Sequence, residues 1–164
     1  MKGLFLMLLL FVTIGLNAKQ YILTNIEQMD GDTIRANVHL GFDIMLHRTV
    51  VRLGGIDTPE THTRNLLEKE VGKLVTLFLM KRIDSAKEII LITNDKKESG
   101  KFGRPMGVLL LDGVDINSIL VSMRCAKEYY GKKKEKWTDE ELNYIKDLLK
   151  RFNKKTVNKC RKSM

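Results

Sequence analysis

The sequence predicts an α+β fold, mainly β: a small five-stranded barrel carrying three helices. Five short apolar or alternating runs, bounded by Gly and Asp turns, have strand character. Between the third and fourth lies a longer stretch whose apolar residues recur at helical spacing. A chain of 164 residues with 43% hydrophobic content is enough for one core.

The elements follow in order. Residues 21–27 and 33–40 flank Asp30-Gly-Asp32, a hairpin signature, and residues 44–54 form a third strand reached through Gly41-Phe-Asp43. Leu67, Val71, Leu74, Val75, Phe78, Leu79 and Ile83 mark one face of a helix over 66–83. Residues 88–93 and 106–111 are the fourth and fifth strands, separated by a Lys-rich polar loop. Asp115 is placed to cap a short helix over 116–123, and residues 126–130 return extended. Thr138-Asp-Glu-Glu141 has the spacing of a capping box. It opens a last helix from 139 to about 153, with Leu142, Ile145, Leu148, Leu149 and Phe152 on one side. Five short strands interrupted by a helix suit an OB-fold-like barrel, the oligonucleotide-binding kind.

Ahead of this domain, Lys2, the apolar run 4–16 and Asn17-Ala18 have the form of a signal peptide over residues 1–18. The alternative is an uncleaved N-terminal anchor that would attach the protein to a membrane. The expected layout is export signal 1–18, domain 19–153 and basic tail 154–164. The expected location is secreted, periplasmic or envelope-associated. The formal charge of +9 attracts polyanions such as nucleic acid or an acidic envelope, although part of it lies in the tail. Cys125 and Cys160 either form a bridge or stand as a small buried hydrophobe and a tail thiol. No Cys/His cluster has zinc spacing. His39 and His47 fall on strands, where histidine is most often structural.

The densest chemistry lies in residues 51–61. A strand carrying Arg52 that turns at Asp57-Thr-Pro is able to aim Arg52, Asp57 and Glu60 into one cavity. Phosphodiester hydrolysis needs these types of residue: a cation for phosphate oxygens, a hard oxygen ligand for a divalent metal, and a carboxylate beside the attacking water. An isolated Asp30-Gly-Asp32 reads first as an Asx turn. Beside Asp57 at a neighbouring strand end, it also offers oxygen ligands of the kind Ca2+ takes. Arg104, after Gly100-Lys-Phe-Gly103, adds a second guanidinium for bidentate phosphate contacts.

Together these residues resemble the thermonuclease, or staphylococcal-nuclease-like, family over about residues 21–132. The landmarks are Asp30-Gly-Asp32-Thr33, then Val51-Arg52-Leu-Gly-Gly-Ile-Asp57-Thr58-Pro59-Glu60-Thr61 and Lys101-Phe-Gly103-Arg104. Asp112-Gly113, Asn117, Leu120-Val121, Ala126-Lys127 and Tyr130 complete them. The resemblance implies a Ca2+ cofactor held by Asp32, Asp57 and the Thr58 carbonyl. It implies Arg52 and Arg104 on the scissile phosphate, Glu60 acting on water, and Lys101 and Tyr130 contacting nucleic acid. The activity it implies is cleavage of DNA and RNA with little sequence preference, leaving 3′-phosphate ends. A monomer without a stable protein partner is expected. The departures are a longer 33–52 hairpin bearing His39 and His47, a short loop after Glu60, Phe102 in place of a hydroxylated aromatic, and Arg124 where a helix-ending Gly usually stands.

The rival from another class is a non-catalytic module that binds single-stranded nucleic acid, using Tyr129, Tyr130 and the lysines 132–134. Such a module has no need of two acids and two arginines at strand ends. A structural envelope protein held by charge would leave the 52–60 cluster without a purpose.

Overall fold

The computed structural model describes residues 18–94, 104–131 and 133–162, with side chains to residue 152 apart from that of Asn94. Among the described residues, eight strands and three helices follow in chain order: β1 Ala18–Asp30, β2 Thr33–Gly41, β3 Ile44–Leu53, β4 Ile56–Asp57, α1 Leu66–Ser85, β5 Ile89–Asn94, β6 Met106–Leu111, β7 Val114–Asp115, α2 Ile116–Ser122, β8 Lys127–Glu128 and α3 Asp139–Lys162. Apart from Ala18, the expected signal segment lies outside the described residues, as do Lys101 and Phe102. No helix among the described residues is long and apolar enough to cross a membrane.

The barrel is closed and mixed. β1 pairs antiparallel with β2 and β5, β2 with β3, and β5 with β6. A two-residue parallel ladder, Arg52↔Met106 and Leu53↔Gly107, joins β3 to β6 and completes the ring of five. The ladder couples the end of β3 to the start of β6, a stagger that tilted barrel strands require. The same end of β3 lies against the start of β2, with Thr33 opposite Arg52. Three strand ends thereby meet at one corner of the barrel.

Leu23, Ile34, Val51, Leu53, Leu91 and Leu109 fill the interior, and α1 covers it with Val71, Val75, Leu79 and Ile83. α3 adds Leu142, Ile145 and Leu149. Phe152, expected on that apolar face, is 45% exposed but stands edge-on to Phe78 with ring centroids 6.0 Å apart. The last helix does not stop near 153; its backbone continues to Lys162, through most of the segment read as a loose tail. Its start is the expected capping box, with Glu141 Oε2 accepting from Thr138 N at 2.8 Å and Glu141 N donating to Thr138 Oγ1 at 3.3 Å.

α2 ends without a glycine. Arg124 takes a left-handed conformation, φ 58°. Its N–H reaches Val121 O at 2.8 Å, while Cys125 N reaches Leu120 O at 2.8 Å, which is the Schellman pattern of bonds. The Arg124 guanidinium lies 5.6 Å from the Tyr144 ring centroid, a cation–π contact that offsets part of the backbone strain. Cys125 is a buried free thiol, its pKa pushed up to about 12 by burial. The Cys160 side chain lies outside the described residues.

Candidate functional site at the barrel corner

Glycine 31 sets up the site. A Cβ there would meet Thr58 Oγ1 at 2.6 Å, so only a residue without a side chain lets the β1–β2 turn lie against the β4 end. That approach brings Asp32 to Asp57 across 25 residues of sequence. Asp57 is held by its own short ladder, Asp57↔Lys127 between β4 and β8.

Arg52 joins the two acids. Its guanidinium binds both oxygens of Asp32, Nη1 to Oδ1 at 3.0 Å and Nη2 to Oδ2 at 2.9 Å, and reaches Asp57 Oδ1 at 3.4 Å. Asp32 also accepts from Thr33 Oγ1 at 3.0 Å and from Thr58 N at 3.4 Å. Asp32, Asp57 and Thr58 are all buried. Burial raises the Asp32 pKa despite the pull of Arg52. The chelated guanidinium is partly buried and does not lie on the solvent side of its strand. It faces the acids.

Glu60 lies beyond Pro59, half exposed, with its backbone N–H donating to Glu68 Oε1 of α1 at 3.3 Å. Its carboxylate does not contact Arg52; it binds Lys134, whose Nζ is 2.6 Å from Glu60 Oε1 and 2.6 Å from Asp57 Oδ1. Burial opposes the charged lysine, but these two carboxylates outweigh it and hold Lys134 above the ordinary lysine range. Asp30, first read as a turn residue, does bond the turn backbone, accepting from Gly31 N at 3.0 Å. Burial, helped by the nearby charges of Asp32 and Glu60, pushes its pKa up to about 6. The corner therefore gathers four carboxyl groups.

Arg104 immediately precedes Pro105, whose carbonyl accepts from Arg52 N at 3.0 Å, so Arg104 leads into β6 beside the β3 residue Arg52. Tyr130 is exposed, its ring over Gly55, with Cε1 3.4 Å from where a Cβ on that glycine would stand. A shallow cleft of about 490 Å³ continues past Glu60, lined in part by Thr61, His62, Lys69 and Lys73. His39 Nε2 meets Thr24 Oγ1 at 2.9 Å, a contact within the sheet. The β2–β3 hairpin that carries it ends at a fully exposed Phe42.

Buried Asn117 underpins the corner. Its Nδ2 donates to Gly54 O at 2.9 Å and Gly107 O at 3.3 Å, and its Oδ1 accepts from Leu109 N at 3.1 Å. One amide thus fastens the β3 end, the β6 start and α2 together.

A family model described as staphylococcal nuclease homologue matches residues 50–156. The chain belongs to this family. The match spans Arg52, Asp57, Thr58, Glu60, Arg104 and Lys134, and begins after Asp30 and Asp32, which the first hairpin brings to the same corner. The chain is also 31% identical over 102 residues to an uncharacterized protein of Bacillus anthracis. That similarity covers 62% of this chain and 42% of the relative, so the chain spans less than half of the relative's length.

Sequence reasoning placed Asp32, Arg52, Asp57, Thr58 and Glu60, and the fold brings them together. It gave no place at this corner to Lys134, which lies 74 residues from Glu60 along the chain. The only signal was a run of three lysines after Gly131, and nothing local distinguishes the third.

Proposed function

We propose that this protein is an exported nuclease that uses Ca2+ to hydrolyse phosphodiester bonds of DNA and RNA with little sequence preference. The observation that carries the reading is Arg52, whose guanidinium spans two buried carboxylates at the point where three strand ends meet. An oligonucleotide-binding module without catalysis has no use for that buried charge, which would be costly to retain.

The residues fit a hard divalent cation. Asp32, Asp57 and the Thr58 carbonyl are oxygen donors, the type Ca2+ takes. The Asp57 and Glu60 carboxylates already accept a positive charge, the Lys134 ammonium. Among the described residues no group of three or more His, Cys, Asp or Glu is clustered to ligate a metal; the proposed set has two carboxylates, and backbone and water oxygens would supply the remaining ligands. Held by Asp32, Asp57 and the Thr58 carbonyl, Ca2+ would supply positive charge to offset the charge that develops on the phosphate.

The chain's own groups do the rest. Arg52 and Arg104 pair with the equatorial phosphate oxygens, where planar guanidinium forks match the geometry and the growing charge of the transition state. Glu60 orients the attacking water or takes its proton at a carboxylate oxygen. Water adds to phosphorus, the bond to the 5′ oxygen breaks, and the products are a 3′-phosphate and a 5′-hydroxyl. Lys69 and Lys73 in the adjoining cleft, together with Lys101 and Tyr130, give flanking nucleotides cationic and stacking contacts. The apolar segment over residues 1–18 is consistent with export, and the domain acts as a monomer.

The test is cleavage of single- and double-stranded DNA and RNA, with Ca2+ and with a chelator, by the parent and by Arg52→Lys. The lysine keeps a positive charge beside Asp32 but loses the bidentate fork. Turnover should fall by about 10²–10³. Parental rates from Arg52→Lys, or full activity in the chelator, would refute the mechanism.

A further inference from the structure

We propose that Lys134 is a tethered cation that fills part of the metal position and must be displaced before Ca2+ binds, so that it sets the metal affinity of this site. The inference rests on the reading of Asp57 as a metal ligand, and it concerns a residue outside the expected catalytic set.

Its position is built, not incidental. The loop leaves β8, whose ladder with β4 is anchored at Asp57↔Lys127, and Tyr129 N bonds Gly55 O at 2.8 Å. Five residues further on, the chain folds back so that Lys134 Nζ reaches Asp57 Oδ1 and Glu60 Oε1, each at 2.6 Å. The far end of the loop is fastened by Lys127, whose Nζ donates to Lys136 O at 3.1 Å and pairs with Glu141 Oε1 at 2.8 Å. Lys127 itself lies over the Trp137 ring, 4.7 Å from the centroid. Both ends of the lysine's loop are held by the residue that also pairs with Asp57.

The contacts decide the consequence. Asp57 Oδ1 faces both Arg52, at 3.4 Å, and Lys134, at 2.6 Å. A divalent ion approaching that oxygen meets an ammonium already in charge-assisted contact, and like charges in so small a space repel. Because any ligand that displaces another is linked to it reciprocally, removing the ammonium must tighten the ion by the free energy of the lost competition. Lys134 also neutralises Glu60, so its release frees that carboxylate for water. One displacement prepares the metal position and the water-binding carboxylate together.

Calorimetric titration of Ca2+ into the full-length parent, Lys134→Ala, Lys134→Gln and Lys133→Ala tests this without reference to turnover. Lys133→Ala removes the same net charge from the neighbouring, exposed position. Both residue-134 variants should bind Ca2+ about ten-fold more tightly than the parent, with Lys133→Ala within about two-fold of it. Without metal, the residue-134 variants should also melt below the parent, since Asp57 and Glu60 lose a counter-ion, and Ca2+ should close that gap. Unchanged or weaker Ca2+ binding in the residue-134 variants overturns the inference and leaves the nuclease reading standing. Equal tightening by Lys133→Ala also overturns it, because the effect is then general surface charge. Absence of Ca2+ binding in every protein overturns the metal site beneath it as well.

Discussion

Replacing Gly72 with alanine should impair cleavage from a position that touches no substrate. Gly72 faces inward from α1 onto the backbone that carries Glu60. A Cβ there would stand 2.6 Å from Pro59 O and 2.9 Å from Glu60 C and O. Restoring an ordinary contact of about 3.4 Å demands a relative displacement of roughly 0.8 Å between helix and loop. Backbone atoms on one side and a helix anchored by four buried side chains on the other leave no flexible group to absorb it. Overpacking of this kind costs about 1–3 kcal/mol, while alanine in a helix interior returns up to about 1 kcal/mol relative to glycine. A net loss near 1 kcal/mol lowers the melting temperature by about 2–4 °C in a domain of this size. The effect on turnover should be larger. On the proposed role of Glu60, a shift approaching 1 Å at the carboxylate that would position the water should lower rates by about 10². Thermal unfolding and an initial-rate assay on DNA with Ca2+, run on the same preparations, measure both. Parental turnover together with an unchanged or raised melting temperature would refute the packing of α1 on the Glu60 backbone.

Other perturbations follow from the same structure. Asn117→Ala leaves the buried Leu109 N–H and Gly54 C=O without their amide partner, and chemical denaturation should report a loss of about 3 kcal/mol. Full stability in that variant would show that the amide is dispensable. Glu141→Gln weakens the α3 capping box and the pairing with Lys127. At pH 7 it should destabilise by about 0.5–1 kcal/mol through the lost negative charge at the helix start and beside Lys127. Burial alone would raise the Glu141 pKa, but hydrogen bonds from Lys127 and Thr138 hold it below its ordinary 4.5. A depressed carboxylate stabilises above its unfolded pKa and loses that contribution as pH falls through its folded one. Parent and variant should therefore converge as the pH falls below the ordinary 4.5 and through the depressed folded value, and a gap independent of pH would assign the effect to shape, not charge.

Much of the fold was legible along the chain because it is encoded locally. Alternation marked the strands, the 3.6-residue spacing marked α1, and Asp115 and the Thr138–Glu141 box announced two helix starts. At Arg124 a tertiary contact accompanies the departure from the local signal. Arg124 ends α2 as a glycine would, its left-handed backbone supported by two backbone bonds and a cation–π contact with Tyr144 on another helix. The last helix continues past 153 although polar residues thin its apolar stripe. The chemistry of residues 51–61 was also readable, since a cation, two carboxylates and a rigid turn lie within one short segment.

The sequence by itself determined which groups are available: acids at 30, 32, 57 and 60, guanidiniums at 52 and 104, and glycines at 31 and 72 where the packing leaves no room for a Cβ. Only the tertiary structure decided their pairing. Arg52 chelates Asp32 because a parallel ladder between β3 and β6 closes the barrel and draws three strand ends to one corner. Lys134 reaches Asp57 and Glu60 because a loop 74 residues downstream of Glu60 is fastened across them. Charge interactions depend on distance through space, and a linear order of residues does not contain it.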